Sequence, residues 1–139
     1  MIELISNDLY VETYLKIREK VNWKKLTYEQ AEKALKNSLY TVVAIEDDKV
    51  LGMGRIVGDG AVICYIQDLI IVPEAQGRGI GRLLIEDLRR FVQSIQFEGT
   101  EMMFDLMCAK GREKFYEKMG FTSRPTDTLG PGMIQYLKK

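Results

Sequence analysis

Histidine is absent from this 139-residue chain, and that absence excludes much chemistry. Without imidazole there is no Ser/His/Asp triad, no Cys/His pair and no zinc site that needs a histidine ligand. Proton transfer then falls to Asp, Glu, Tyr, Lys, Cys or water. Cysteine is scarce too. Cys64 and Cys108 are the only two; they cannot build a four-thiolate site, and both stand in apolar, strand-like runs, which reads as buried free thiols. Net charge is missing, with 20 basic residues against 20 acidic ones. Binding to nucleic-acid phosphates normally shows as a basic excess, so no nucleic-acid partner is expected. No stretch approaches the roughly 20 apolar residues of a membrane span, and Met1-Ile2-Glu3-Leu4 places an acid where a signal peptide carries basic residues. The expectation is a cytoplasmic protein with no membrane partner. No repeat, low-complexity tract or linker divides the sequence, so one domain over residues 1–139 is expected.

What is present reads as an alternation of strands and helices. Met1 to Ile5 is a short first strand. Asn7 or Asp8 can cap a helix with Leu9, Tyr14, Leu15 and Ile17 on one face. Thr27 followed by Gln30 is a capping-box signature for a second helix through Leu35. Tyr40–Glu46, the Asp47-Asp48 turn and Lys49–Val57 read as a hairpin, and after Gly58-Asp59-Gly60 a third long strand runs from Ala61 to Val72. Glycines 52 and 54 inside the second of these strands suggest a bulge or a close approach. After Pro73 the period changes: Leu84, Leu88, Phe91, Val92 and Ile95 recur at three and four, the pattern of an amphipathic helix. A strand at Glu101–Cys108, a helix at Lys110–Met119 and two final strands at Gly120–Ser123 and Met133–Leu137 complete the order. Antiparallel hairpins followed by a βαβ unit give the fold class: α/β, a single-domain mixed central sheet of about seven strands flanked by about four helices.

The chemistry concentrates where the long helix begins, at Gln76-Gly77-Arg78-Gly79-Ile80-Gly81-Arg82. The first amides of a helix lack internal partners and lie at the positive end of its dipole. Glycines remove the side chains that would keep a diphosphate away from them, and Arg78 and Arg82 add charge. Other phosphate loops fit badly. A Walker A loop would end in Gly-Lys-Ser/Thr, which is missing, and a dinucleotide fingerprint would need small residues where Arg82 or Leu84 stands.

Gln76-x-x-Gly79-x-Gly81 resembles the Gln/Arg-x-x-Gly-x-Gly/Ala signature of the GCN5-related N-acetyltransferases (GNAT). Lys114-Phe115-Tyr116-Glu117-Lys118-Met119-Gly120-Phe121 resembles that family's Phe-Tyr-Glu-Lys-x-Gly-Phe segment, at the right distance and in a matching strand order. The resemblance implies a fold whose fourth and fifth strands splay apart around the pantetheine arm of acetyl-coenzyme A. The strand end Ile70-Ile71-Val72 would face that arm, with backbone groups of Ile70 and Val72 pairing with it, and amides from Gly77 to Arg82 would take the diphosphate. It also implies direct transfer of an acetyl group to a primary amine with no acyl-enzyme. The acceptor would be a small molecule such as a polyamine, amino sugar, amino acid or arylalkylamine.

Within that resemblance Tyr116 matches a tyrosine that stands near the thioester sulfur as general acid, against a bland reading as a packing aromatic. Asp68, on an otherwise apolar strand, reads either as the acceptor of the amine proton or as a hydrogen-bonded structural acid. Tyr65 is another candidate on the acceptor side, because acceptor-side bases in the family cluster near the start of this strand. Arg55, Asp59 and Trp23 fall in regions that line the acceptor pocket in the family, though each is also an ordinary surface position. The Met102, Met103 and Met107 cluster reads as core filling. The family's frequent asparagine seven residues before the tyrosine is Ala109 here, so that contact is not carried over. Two other readings stand beside the enzyme: a non-catalytic sensor that keeps the cofactor site, and an acetyltransferase acting on protein amines. An uncovered final strand would permit a homodimer.

Overall fold

The structure is a computed structural model that describes residues 1–139. The chain falls into two compact units, Met1–Leu106 and Met107–Lys139. The first holds β1 (Glu3–Ser6), α1 (Val11–Lys20), α2 (Tyr28–Lys36), β2 (Tyr40–Glu46), β3 (Lys49–Gly58), β4 (Ile63–Ile71), α3 (Ile80–Ile95) and β5 (Met103–Leu106), and the second holds α4 (Glu113–Lys118). The strands form one mixed sheet in the order β1-β2-β3-β4-β5, antiparallel until the final β4–β5 pair, which is parallel.

Local chemistry explains most of the boundaries. Thr27 Oγ1 accepts the Gln30 amide at 3.0 Å while Gln30 Oε1 accepts the Thr27 amide at 3.4 Å, the capping box that the sequence predicts. Asp47 and Asp48 both lie at positive φ, 50° and 61°, the conformation a two-residue hairpin loop requires. Asn7 behaves differently from expectation. Its side-chain oxygen accepts the Thr41 amide at 3.1 Å, closing β1 onto β2, so α1 starts later, at Val11, with no side-chain cap.

Helix α3 lies across one face of the sheet, burying Ile80, Leu84, Ile85, Leu88 and Val92. Gly54 permits this approach: a Cβ there would stand 3.0 Å from a Leu88 methyl. Gly52 is tighter still, since a Cβ would meet the Ile70 carbonyl oxygen at 2.8 Å. Both predicted reasons for these glycines hold, because β2–β3 also carries a register shift at Ala44/Ile45, beside them. On the other face, α1 buries Tyr14 and Ile17.

The sheet has five strands, two fewer than the roughly seven predicted, because 120–123 and 133–137 form none. The loop between these two segments instead closes on itself. Thr126 Oγ1 accepts the Leu129 amide at 3.0 Å, the Thr126 amide donates to the Leu129 carbonyl, and Arg124 Nε donates to the Gly130 carbonyl. Pro131 removes a further donor, and Met133, Ile134, Tyr136 and Leu137 stand exposed. Met103 and Met107 are half-exposed and do not fill a core as expected.

Candidate active site

Strand β4 leaves the sheet through Val72, makes one 3₁₀ turn at Pro73–Ala75 and enters α3 through the glycine segment. Gly77 and Gly79 have φ of +82° and +80°, a region that other residues adopt with strain, and nothing lies within 4 Å of where their Cβ atoms would be. Gly79 is the N-cap, so no side chain closes the helix, and no acid occupies the first turn. The first hydrogen bond into the helix runs from the Leu83 amide to the Gly79 carbonyl, which leaves the amides of Ile80, Gly81 and Arg82 without intrahelical partners. Open space, free donors and a positive dipole end fit an anionic diphosphate. The arginines contribute less free charge than the sequence suggests. Arg78 holds both oxygens of Glu46, at 2.9 and 3.0 Å, and Arg82 pairs with Glu86 at 3.5 Å. Gln76 reaches back to the Ile71 carbonyl at 3.3 Å and steadies the loop on its strand.

Behind this loop β4 has an open edge. It pairs with β3 as far as Ile71, but with β5 only through Ile66↔Leu106. The open stretch begins at Gln67, and the register there corrects one expectation. Val72 donates its amide to the Leu51 carbonyl at 2.9 Å, toward β3. Backbone groups alternate sides along an antiparallel strand, so Ile70 also faces β3, and Leu69 and Ile71 turn outward. The backbone available to an added ligand strand therefore belongs to Leu69 and Ile71, one residue out of step with Ile70 and Val72.

Asp68 is 1% exposed and its carboxylate accepts from three side chains. Arg55 Nε reaches Oδ2 at 2.6 Å, the Tyr14 hydroxyl reaches the same oxygen at 2.6 Å, and Arg18 reaches Oδ1 at 3.4 Å. Burial first, then the adjacent Asp68 charge, pushes the Tyr14 phenol up to about 12. Of the two readings open in the sequence, this geometry favours the structural acid, since the buried carboxylate is already held by two arginines and a phenol. Arg55 is likewise committed. It is buried, and its guanidinium also reaches Ser38 Oγ at 3.2 Å and the Ala34 carbonyl at 3.4 Å, tying β3 to the end of α2. Arg55 therefore cannot offer a free cation to an acceptor.

The remaining predicted residues separate. Trp23 joins the Asp68 cluster through Arg18, whose guanidinium lies 5.4 Å from its ring centre and 5.6 Å from that of Tyr14. Asp59 is exposed and structural: one oxygen accepts the amides of Ala61, Val62 and Ile63 at 2.8 to 3.0 Å, and these bonds hold its carboxyl below the usual carboxylate range. Tyr65 sits on β4 opposite Asp105 of β5. In the second unit, Tyr116 is half-buried on α4 with its ring edge-on to Phe115 and Phe121, and burial raises its phenol above the ordinary value. Cys64 is fully buried as expected, whereas Cys108 is partly exposed. Tyr14 and Asp105 escaped the sequence reading. Tyr14 looks like any apolar helix position, but Asp105 carries the same signal as Asp68, a lone acid in an apolar strand. A cleft of about 450 Å³ lies between α1 and the start of β3, and of the predicted site residues only Val72 lines it.

With this geometry in place, comparison with known proteins gives a consistent answer. The sequence profile described as acetyltransferase (GNAT) domain matches residues 37–123. A probable acetyltransferase of Staphylococcus aureus superposes with a TM-score of 0.84 at 30% identity, over 100% of both chains. An uncharacterized N-acetyltransferase of Prochlorococcus marinus is 29% identical over 86% of this chain and 73% of its own length. A soybean protein named as a histone acetyltransferase is 28% identical over 81% of this chain, which spans only 52% of that protein. An open β4 edge leading to a glycine-framed helix start, and a profile that runs from β2 past α4, place this chain in the GNAT acetyltransferase family as an acyltransferase.

Proposed function

We propose that this chain transfers an acetyl group from acetyl-coenzyme A directly to the primary amine of a small molecule. The observation that carries the reading is the uncapped, acid-free start of α3 at the end of an unpaired strand edge. In this reading the thioester supplies the activated acetyl group. Outward backbone groups of Leu69 and Ile71 hold the pantetheine arm as an added strand, and the amides of Ile80, Gly81 and Arg82 hold the diphosphate. Catalysis is then positioning plus two proton movements. Tyr116, assigned by its place in the Phe-Tyr-Glu-Lys motif, protonates the departing sulfur; its burial keeps the phenol protonated at neutral pH. Asp68 fixes Tyr14, Arg18 and Arg55 and takes no proton.

A second reading, transfer to a protein amine, draws on the soybean relative's name alone. Thiol release from acetyl-coenzyme A across small amines and a lysine-containing peptide separates the two. Calorimetry tests the donor site. Gly79→Asp should weaken coenzyme A binding at least 100-fold with the circular dichroism spectrum unchanged. An unaltered dissociation constant would remove the diphosphate from this loop.

A further inference from the structure

The side-chain oxygens and nitrogens sealed from solvent without a hydrogen-bond partner are two, Arg18 Nε and Asp105 Oδ1. A buried carboxylate oxygen with no donor is costly, and its position in the sheet is informative. Asp105 occupies the next-to-last rung of the β4–β5 ladder, opposite Tyr65, one residue before the pairing ends and β4 continues alone. Its neighbour Phe104 lies under Arg89 of α3, with the guanidinium 6.0 Å from the ring centre. Side chains alternate along a strand, so Asp105 and Tyr65 point to the opposite face, the one that α1 covers. Asp68 points there too, because the register jumps from Arg55↔Asp68 to Ile56↔Ile66 and leaves Gln67 as an extra residue. The fold thus sets two acids on one face of β4–β5, beside the point where the strands part. Both oxygens of Asp68 have donors, from Arg55, Arg18 and Tyr14. Asp105 Oδ1 has none.

We propose that Asp105 is the general base that takes the proton from the acceptor amine. This rests on the transfer reading above. The amine nitrogen forms a bond to the thioester carbon, the carbon–sulfur bond breaks, one proton passes from nitrogen to the Asp105 carboxylate, and the sulfur leaves as a thiolate that gains its own proton from an acid. Burial raises the Asp105 carboxyl above its ordinary value, with its own backbone amide the only opposing influence. That direction suits a base working near neutral pH. The titratable and charged groups around it are Tyr65 opposite, Cys64 on the adjacent rung, and Asp68, Arg55 and Arg18 further along the face.

The test uses the full chain, saturating acetyl-coenzyme A, and spermidine, 2-phenylethylamine, glucosamine and lysine amide as acceptors, with thiol release followed against pH. Asp105→Asn should lower kcat at least 100-fold, the usual scale of one acid–base group. It should abolish the acidic limb of the kcat/KM profile and leave coenzyme A affinity by calorimetry unchanged, and Asp105→Glu should recover part of the rate. The asparagine variant should also melt higher than wild type at pH 7, because folding penalises the ionised carboxylate. Full activity in Asp105→Asn with the acidic limb intact would overturn the assignment. Binding of coenzyme A by the wild type with no thiol release on any acceptor would instead sink the transfer reading, and the base with it.

Discussion

The Asp68 cluster makes the sharpest energetic prediction. Asp68→Asn keeps the size of the side chain but removes the charge that holds Arg55, Arg18 and Tyr14. Arg55 is 7% exposed, so its guanidinium would remain buried without a counter-charge, a loss of about 3–5 kcal/mol. A domain of this size has a total stability of about 5–15 kcal/mol, so the variant should still fold. With a urea dependence of roughly 2 kcal/mol per molar, the unfolding midpoint at pH 7 should fall by about 2 M. Tyr14→Phe loses one 2.6 Å bond to the carboxylate and should cost about 1.5–3 kcal/mol. At a temperature where Asp68→Asn is folded, the shape of its pH–rate profile should match wild type. A midpoint shift below about 0.5 M, which is roughly 1 kcal/mol at that slope, or a vanished acidic limb would refute the structural role given to Asp68.

Other measurements probe separate parts of the fold. Gly54→Val would drive a side chain into Leu88, 3.0 Å from the new Cβ, and should destabilise by about 1–3 kcal/mol, read from the same urea curves. Mass spectrometry after brief treatment of native protein with iodoacetamide should find Cys108 labelled and Cys64 protected until urea is added, because only Cys108 reaches solvent. Alkaline pH offers a signed test. The Tyr14 phenol rises from 10.0 to about 12 on folding, so its contribution is complete below pH 10 and disappears as pH climbs toward 12. Tyr14→Phe should show a smaller loss across that window.

The sequence carried the elements because local rules agreed with the tertiary structure. The Thr27/Gln30 capping box, the Asp47-Asp48 turn and the three–four spacing of α3 each appear as read. The uncapped glycine corner at the start of α3 was legible for the same reason, since free amides and glycines act within a few residues. Long-range matters were not. Whether Asp68 is a base or a strut depends on Arg18 and Arg55, 50 and 13 residues away in sequence. Which backbone groups face outward depends on the β3 register, fixed by the Val72–Leu51 bond. The two missing strands were misjudged because apolar alternation at Met133–Leu137 says nothing of whether an edge is offered to it.

The extra residue at Gln67 divides β4 into two half-strands of opposite phase. Upstream, odd-numbered side chains look toward α1; downstream, even-numbered ones do. A change on one side of that dislocation leaves the alternation on the other untouched, so in the proposed transfer the amine side and the thioester side can vary separately under mutation. Deleting the single glutamine would leave Tyr65-Ile66-Asp68 in plain alternation, keeping Tyr65 and Asp68 on one face while removing the bulge between the two halves.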